Sequence, residues 1–285
     1  MLNSKTTLRK ILLGFFLGLT VFIWCGVWAE ERSGILTVAF LDVGQGDAIF
    51  IEAPGGKQVL IDGGPNKKVL RELAKQMPFY DRSLDLLIAT HPDKDHIGGF
   101  PAVLNSYEVA VFLESEVLCK NSICEKLDKQ IQDKGIEKKI ARRGMVIDLD
   151  DGIYLEVLFP DRDATNLETN LASIVLKLVY GEDSFLLMGD SPKAIEEYLI
   201  FLDAENLAVD VLKLGHHGSR TSSSEFFLGA TSPEVVIISA GKNNRYGHPH
   251  PEVLDILKKF EVKILRTDED GTIIIKSDGA GFLGE

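Results

Sequence analysis

The side chains best suited to chemistry lie in one short stretch, residues 85–99, with the sequence DLLIATHPDKDHIGG. An apolar run typical of a strand ends there and is followed by four possible metal ligands: His91, Asp93, Asp95 and His96. Pro92 interrupts a regular helix, so we expect these ligands in a loop at a strand end. Imidazole nitrogen and carboxylate oxygen suit Zn²⁺, Mn²⁺ or Fe²⁺. By itself the stretch also fits a polar turn that caps the next helix, with Asp95 as N-cap.

The histidines of the chain are confined to three short clusters. The six residues are His91 and His96, His216 and His217, and His248 and His250. Randomly placed surface histidines would not form such pairs, and histidine is the commonest metal ligand. The clustering therefore favours a metal site built from distant parts of the chain over a capped turn.

The pattern from about residue 36 onwards is typical of a layered α/β fold. A composition of 45% hydrophobic and 26% charged residues is sufficient for one large domain with a substantial core. Strands predicted at residues 86–89, 184–188 and 209–214 each end in a polar motif. In such a fold these polar residues gather along one rim of the sheets, so residues far apart in sequence are expected to meet in one site.

The start of the chain is different in kind. Residues 11–29 contain no charged side chain, and the basic residues Lys5, Arg9 and Lys10 precede them. At a helical rise of about 1.5 Å per residue, this stretch nearly spans a bilayer core of about 30 Å. We predict an uncleaved membrane anchor or a long secretory signal, with the basic flank in the cytoplasm and residues from about 33 onwards outside.

The chain is acidic, with a net charge of −12 at pH 7, and residues 1–29 contribute only basic charges. The remainder is therefore more acidic still, which argues against broad non-specific binding of nucleic acid. A local group of cations near the later histidines, Arg220, Lys242 and Arg245, could still steer a phosphodiester to the metal. Each of these cations also fits a solvated surface position.

Three cysteines are present, of which Cys25 lies in the apolar stretch and Cys119 and Cys124 lie close together. In an oxidising compartment this pair could close a small disulfide loop. A zinc clip would need further ligands, and no histidine is near. Both a disulfide and free thiols fit the sequence.

Six motifs, in order along the chain, resemble those of the metallo-β-lactamase superfamily. They are FLDVGQGD (residues 40–47), LIDGG (60–64), the loop at 91–96, MGD (188–190), GHHGS (215–219) and YGHPHP (246–251). More narrowly, the chain is similar to the metallo-β-lactamase-like domain at the C-terminal end of the DNA-uptake channel protein ComEC, and to stand-alone relatives of that domain. The resemblance runs from about residue 35 to residue 278.

The resemblance implies an α/β fold, a four-layer αββα metallo-β-lactamase sandwich, preceded by one N-terminal transmembrane or signal helix. Residues 1–32 would be the signal sequence or membrane anchor with its linker, and residues 33–285 the metallo-β-lactamase-like hydrolase domain. A site for two divalent metal ions, Mn or Zn, is implied at one edge. Asp62, at the end of a predicted strand, fits a carboxylate that orients a ligating histidine.

The implied metal ligands are His91, Asp93, Asp95, His96, Asp190, His216 and His217. His91 would bind the first ion, and Asp95 with His96 the second. Asp190 would bridge the two ions.

Sequence features near the first ion depart from the usual superfamily pattern. Asp93 stands where the widespread loop has a histidine, and this oxygen donor favours Mn²⁺ without excluding Zn²⁺. No histidine occurs between positions 96 and 216, and Asn170 and Ser173 match residues of ComEC-type relatives in this region. Asn170 fits a weak carbonyl ligand, a substrate donor or a turn residue. Of the adjacent His216 and His217, which on a strand would point opposite ways, His217 is preferred.

The implied chemistry uses a hydroxide that bridges two metal ions. The predicted catalytic residues are Asp47, Asp93, Asp95, His248 and His250. Asp93 or Asp47 would accept the proton of the water, and the two histidines would donate to the leaving group or hold a phosphate oxygen. The predicted substrate-binding residues are Gln45, Asn170, Ser173, Ser219, Arg220, Lys242 and Arg245. Gln45 and Asp47 also fit residues that only stabilise a turn, and the last histidine pair also fits a stiff surface loop.

The implied function is that of an exported metal-dependent hydrolase, a phosphodiesterase or DNase related to the competence DNA-uptake nuclease domain. DNA or another phosphodiester is the expected substrate, the N-terminal helix the contact with the membrane, and the DNA-uptake machinery a candidate partner. The domain would face the extracytoplasmic side of the cell membrane as a single-pass protein, or be secreted after signal cleavage. One membrane segment would not form a channel. The alternatives are a hydrolase of lactam, lactone or thioester bonds, and a metal-poor interaction module.

Overall fold

The computed structural model describes residues 4–29 and 34–283. The chain divides into two units, Met1–Gly34 and Ile35–Glu285. In the first unit, helix α1 (Ser4–Ala29) contains the apolar window Thr7–Trp24, whose mean hydropathy is 1.6. By length and composition α1 is a candidate membrane span or signal helix, and the predicted linker at residues 30–32 lies outside the described residues.

The second unit alternates strands with helices. Its strands are β1 (Leu36–Phe40), β2 (Ile49–Glu52), β3 (Gln58–Ile61), β4 (Ser83–Ala89), β5 (Glu108–Glu114), β6 (Glu137–Ile140), β7 (Val146–Asp148), β8 (Ile153–Phe159), β9 (Val175–Tyr180), β10 (Asp183–Leu187), β11 (Val211–Lys213), β12 (Val235–Ile238), β13 (Lys263–Arg266) and β14 (Ile273–Ser277). Its α-helices are α2 (Lys68–Gln76), α3 (Lys94–Ile97), α4 (Phe100–Ser106), α5 (Ser122–Lys134), α6 (Lys193–Asp203), α7 (Glu225–Thr231), α8 (Pro251–Lys259) and α9 (Thr267–Asp270). Short 3₁₀ helices lie at Asn170–Ala172, Ala204–Asn206 and Gly215–Gly218.

These strands form two seven-stranded sheets, with the orders β14-β1-β2-β3-β4-β5-β6 and β13-β12-β11-β10-β9-β8-β7. In the first sheet β3 to β6 are parallel, and the strands from β14 to β3 are antiparallel. In the second sheet β7 to β10 are antiparallel and β10 to β13 are parallel. Parallel strands need crossover connections, which here are helical and cover the outer faces of the sheets.

Three apolar clusters separate the layers. The central cluster lies between the sheets and includes Val38 and Phe40 of β1 and Phe185 of β10. Ala39 points the other way, as the period of two in a strand requires, and packs in the cluster that contains Phe100 of α4. A third cluster packs α6, α7 and α8 on the second sheet. The four-layer αββα sandwich implied by the sequence resemblance is therefore confirmed.

The carboxyl ends of several strands meet at one edge of each sheet. Ile61 of β3 pairs with Ile88 of the parallel β4, so the segments that follow these strands leave the sheet side by side. Leu187 of β10 pairs with Lys213 of the parallel β11, which brings the next two polar segments together. The order of the strands thus gathers the motifs that the sequence separates.

The loop after β4 is more helical than predicted. Pro92 precedes a single helical turn, α3, with Asp93 rather than Asp95 at its N-cap position. The β1–β2 turn packs against this helical turn, because Asp47 N donates to Asp95 O at 3.3 Å. Gly46 has a φ of +132°, and a Cβ there would collide with the same carbonyl oxygen. Glycine is therefore needed for the two segments to meet.

The two cysteines of the folded unit form a disulfide between Cys119 and Cys124, with their Cα atoms 6.1 Å apart. Cys124 lies in the first turn of α5, which Asn121 caps through hydrogen bonds from Ile123 N and Cys124 N. Of the two alternatives that fit the sequence, the structure contains the disulfide.

Candidate metal centre

Three buried side chains at the strand ends form the first group of possible ligands. His91 directly follows Thr90 at the end of β4, His96 lies in α3, and Asp190 follows β10; they are 1%, 0% and 3% exposed. Each offers one ligand atom within 4.8 Å of the others. His96 Nε2 lies 3.3 Å from Asp190 Oδ1, and His91 Nε2 lies 3.8 Å from Asp190 Oδ2.

A second group shares His96 with the first. It contains Asp95, His96 and His217, again with ligand atoms within 4.8 Å of one another. His217 Nε2 lies 3.5 Å from Asp95 Oδ2 and 3.5 Å from Asp190 Oδ1. Asp190 therefore lies between the groups, with one oxygen near His96 and His217 and the other near His91. This position fits a bridging carboxylate.

Four buried atoms in these groups have no hydrogen-bond partner among the residues that the structure describes: Nε2 of His91, Nε2 of His96, Nε2 of His217 and Oδ1 of Asp190. An unpaired buried donor or acceptor costs about 1–3 kcal/mol. Such atoms facing one another are unfavourable unless something binds them. Because imidazole nitrogen and carboxylate oxygen are the ligands that divalent transition metals prefer, these residues fit metal ions.

Hydrogen bonds behind the histidines fix the direction of their rings. His96 Nδ1 lies 2.7 Å from Asp62 Oδ2, as expected of a carboxylate that orients a ligand. Thr90 holds Asp62 in turn, with N–H and hydroxyl bonds of 2.9 and 2.7 Å. His217 Nδ1 lies 3.0 Å from Ser239 O. With their Nδ1 atoms engaged in this way, both rings point Nε2 at Asp190.

A buried salt bridge lies behind His217 and was not predicted. Asp47 forms it with Lys213, and the two residues are 1% and 0% exposed. Asp47 Oδ1 also lies 3.2 Å from His217 Nδ1. The sequence carried a signal, because a lysine within the apolar strand β11 needs a partner when buried. Asp47 is thus placed to position His217. Its role as proton acceptor stays a prediction, and the salt bridge to Lys213 does not favour that role.

Both histidines of the Gly215–Gly218 turn approach Asp190. His216 and His217 have left-handed backbones, with φ of 49° and 55°, so they do not point opposite ways as neighbours on a strand would. His216 Nε2 lies 3.8 Å from Asp190 Oδ2, and its side chain is 26% exposed. Both predicted ligands of this turn thus lie near Asp190, and the preference for His217 over His216 stays a prediction.

The sequence profile of the metallo-β-lactamase superfamily matches residues 41–242. The chain belongs to the metallo-β-lactamase superfamily. Proteins of this fold typically bind divalent metal ions, so the unpartnered ligand atoms occur in a fold suited to them. In fold, the chain is similar to Igni18, a metallo hydrolase from the archaeon Ignicoccus hospitalis KIN4/I, with a TM-score of 0.53, 18% identity, and coverage of 84% of this chain and 98% of that chain.

Two curated relatives that the chain matches are ComEC-type competence proteins. ComE operon protein 3 of Bacillus subtilis (strain 168) is 36% identical over 253 residues, which cover 83% of this chain and 32% of the relative. Competence protein ComA of Neisseria gonorrhoeae is 31% identical over 244 residues, which cover 85% of this chain and 32% of the relative. The chain thus spans about a third of the length of the curated relatives it matches, and it is a metallo-β-lactamase hydrolase related to ComEC-type competence proteins.

Two of the residues that depart from the usual superfamily pattern, Asp93 and Ser173, lie close to His91. Asp93 Oδ2 is 3.8 Å from His91 Nε2, and its side chain is 43% exposed. Asn170 Oδ1 is buried without a hydrogen-bond partner. Ser173 is fully buried; its Oγ accepts Asp190 N at 3.0 Å and lies 3.4 Å from His91 Nδ1. The predicted contact of Ser173 with substrate does not fit this position, which instead holds Asp190.

Charge sets the protonation of the ligands before metal ions bind. Burial lowers the pKa of His217, but the carboxylates of Asp190 and Asp47 outweigh it and raise the pKa to about 9. The pKa of His96 is likewise raised well above its usual value, against burial, by Asp190 and a second carboxylate. Burial and the charge of His96 lower the pKa of His91 to about 3. Binding of a metal ion by His96 and His217 would therefore require the release of protons from these rings.

The third histidine cluster lies beside these ligands. The ring centroid of His248 is 5.5 Å from that of His216 and 4.8 Å from that of His250. Arg220 Nη2 lies 3.1 Å from His250 Nε2. Of the predicted cations, Arg220 is thus at this cluster, and Arg245 bonds to the hydroxyl of the neighbouring Tyr246.

The positions of the remaining predicted substrate-binding residues give less direct support for contact with a substrate. Gln45 Oε1 accepts Gly241 N at 3.1 Å, while its Nε2 is buried without a partner. Ser219 Oγ lies 2.9 Å from Thr221 Oγ1, and Ser219 is buried. Lys242 is exposed. Their contact with a substrate stays a prediction.

Replacing Lys213 by methionine is expected to lower the free energy of unfolding by about 3–5 kcal/mol, because Asp47 is left buried without its cation. Urea unfolding of the full-length chain in detergent, in the presence of a chelator, measures this loss. Lys213→Met with Asp47→Asn should cost less than the sum of the single changes. The matched control is Lys57→Met, whose salt bridge to Asp150 is exposed; it should cost less than about 1 kcal/mol. Equal losses in the Lys213 and Lys57 variants would contradict the assignment.

Proposed function

We propose that the chain is a metal-dependent phosphodiesterase that cleaves DNA on the outer side of the cytoplasmic membrane. The observation that carries the proposal is the convergence of four unpartnered buried ligand atoms, from His91, His96, Asp190 and His217. A donor set of this kind at the edge of a metallo-β-lactamase fold supports hydrolysis. The features around it favour an anionic substrate.

Two groups of residues would hold the metal ions. The first contains His91, His96 and Asp190, and the second contains Asp95, His96 and His217. Divalent ions in these groups, Mn²⁺ or Zn²⁺, would lower the pKa of a coordinated water and neutralise charge on the phosphoryl oxygens. The other steps depend on the side chains of the protein.

Asp93 is the best placed proton acceptor. Its carboxylate lies 3.8 Å from His91 Nε2, and a side-chain exposure of 43% gives it access to solvent. Burial raises the pKa of Asp93, which makes its carboxylate a stronger base. Asp47, the alternative acceptor, is already engaged by Lys213.

His248 is placed to hold the substrate rather than to protonate it. Burial and the charges of His217 and His216 lower the pKa of His248 to about 4, so its ring is neutral at pH 7. A neutral imidazole can donate one N–H to a phosphate oxygen but is a weak source of protons at this pKa. Arg220, in contact with His250, supplies a positive charge at the same edge.

A phosphodiester fits this edge better than a lactam, lactone or thioester does. Arg220 and Arg245 are cations at the site of a chain whose net charge is −12. Local positive charge on an otherwise acidic protein attracts an anionic substrate, whereas it would not contribute to the binding of a neutral one. The named relatives, ComE operon protein 3 and competence protein ComA, support DNA as the polymer and the DNA-uptake machinery as the partner.

Two independent features support a location outside the cytoplasm. The basic residues of helix α1, Lys5, Arg9 and Lys10, lie near its start and none lies in its last turn, which favours a cytoplasmic N-terminus. The disulfide between Cys119 and Cys124 is typical of an oxidising compartment. We infer that α1 anchors the chain with the hydrolase domain outside.

Protease added to intact spheroplasts is therefore expected to digest the hydrolase domain, while a cytoplasmic marker protein stays intact. Immunoblotting of the full-length chain measures this. In the same cells Cys119 and Cys124 should resist alkylation until a reductant is added. A domain that is digested only after lysis, with both thiols free, would contradict the proposed location.

The full-length chain, stripped of metal in detergent and resupplied with Mn²⁺ or Zn²⁺, is expected to cleave labelled DNA. Asp190→Asn should lower kcat about a thousandfold, because it weakens both ligand groups at once. The matched control is Asp255→Asn, an exposed aspartate of α8, which should leave kcat unchanged. Gel analysis of time courses measures these rates.

Cleavage that persists at the same rate in Asp190→Asn would contradict the proposed site. No cleavage of DNA with either metal, together with hydrolysis of a lactone or thioester by the same preparation, would exclude the phosphodiesterase but keep the hydrolase. Failure of the full-length chain to retain any metal would instead support an interaction module.

A further inference from the structure

An exposed tyrosine lies beside the candidate metal centre and has no part in the function proposed above. Tyr246 is 48% exposed. Its ring is stacked on that of His248, with centroids 5.6 Å apart and planes 20° apart. The ring is thus supported by His248 on the side of the site, and about half of the residue is exposed to solvent. An aromatic surface of this kind is suited to a flat ligand.

The loop that carries Tyr246 is braced by one amide side chain. Asn244 Oδ1 accepts the backbone N–H of Tyr246 at 3.1 Å and that of His248 at 3.0 Å. Asn244 Nδ2 donates to His248 O at 2.5 Å. Gly247, between the two rings, has a φ of +73°. The two rings are therefore held in place before any ligand arrives, which lowers the entropic cost of binding.

The stack leads directly to the ligand groups. The ring centroid of His248 lies 5.5 Å from that of His216 and 6.1 Å from that of His217. His216 Nε2 is 3.8 Å from Asp190 Oδ2. Tyr246 is therefore one ring further out than His248, which in turn adjoins the histidines at the site. In a nucleotide the base likewise lies a short distance out from its phosphate. A nucleotide whose phosphate is at the ligand groups would therefore extend its base towards Tyr246.

Cations lie on two sides of the stack. Arg245 Nη2 donates to Tyr246 Oη at 2.6 Å, and its Cζ lies 4.8 Å from the ring centroid. Arg220 contacts His250, whose ring centroid lies 4.8 Å from that of His248. Aromatic rings next to cations are the combination with which proteins bind single-stranded nucleic acid, because bases stack and phosphates pair with the cations.

We propose that Tyr246 is a specificity-determining residue that stacks on the nucleobase next to the phosphate being cleaved. The proposal rests on the proposed phosphodiesterase function and adds to it a requirement for an unpaired base. In a duplex both faces of a base are covered by its neighbours, so only an unstacked base can contact the exposed part of the Tyr246 ring. The enzyme should therefore act at single-stranded positions.

The test compares two substrates with the metal-loaded full-length chain in detergent. One is a short oligothymidylate, and the other is a chain of equal length whose sugars carry no base. Tyr246→Leu should raise KM for the oligothymidylate about tenfold, the size expected when base–aromatic stacking is lost, with little change in kcat. KM for the base-free chain should not change. Tyr246→Phe, which keeps the ring, should behave like the unaltered protein.

The matched control is Phe79→Leu. Phe79 is 86% exposed and packs edge-on to Tyr80, but it precedes β4, whereas the metal ligands follow β4. A second readout is the fluorescence of an oligonucleotide that contains 2-aminopurine. Stacking should quench this fluorescence on binding to the unaltered protein and to Tyr246→Phe, but not to Tyr246→Leu.

Each negative result leads to a different conclusion. If the unaltered protein cleaves both chains with equal KM, and Tyr246→Leu affects both alike, the stacking role is wrong while the phosphodiesterase function stands. If neither chain is cleaved, the phosphodiesterase function fails and the stacking role fails with it. Quenching that survives in Tyr246→Leu also overturns the stacking role.

Discussion

The site depends on one constraint, the burial of three imidazole nitrogens and a carboxylate oxygen that face one another and find no hydrogen-bond partner in the described part of the chain. The rest of the local structure maintains this arrangement. Asp62 and Ser239 occupy the Nδ1 atoms of His96 and His217, so only Nε2 is free to point inward. Without a bound ion, these unpaired atoms would destabilise the fold, and a cation among them would remove that penalty.

Charge imposes a second constraint on the same region. Asp47, Asp62 and Asp190 are each at most 3% exposed, and buried carboxylates are tolerated only when they are paired. Lys213 forms a salt bridge with Asp47, and His96 lies between Asp62 and Asp190. The negative charge that remains attracts divalent ions, while the cations are at the neighbouring rim. The centre therefore favours cations, and its rim favours anions. This arrangement suits a phosphodiester whose phosphate lies between the centre and the rim.

Local sequence patterns predicted a layered α/β fold with polar motifs at its strand ends, because alternation along strands and the position of polar motifs after them are short-range features. The four-layer sandwich and the full set of ligands were implied only by the resemblance to the metallo-β-lactamase superfamily. Local patterns did not predict the pairing of Lys213 with Asp47, which are 166 positions apart and meet only through the strand order. The preference for His217 over His216 rested on strand geometry, which does not apply here, because left-handed backbones at non-glycine residues leave no short-range signal. Tyr246 was part of a recognised motif, but its stacking depends on the bracing of its loop.

Electron paramagnetic resonance with Mn²⁺ tests most directly whether these residues would hold two divalent metal ions, with Asp190 between the two ligand groups. The full-length chain in detergent is stripped of metal and given two equivalents of Mn²⁺. The structure predicts the multiline spectrum of an exchange-coupled pair, which Asp190→Ala should replace by uncoupled ions. A six-line spectrum of isolated or free Mn²⁺, identical in both proteins, would contradict the assignment of a dinuclear centre.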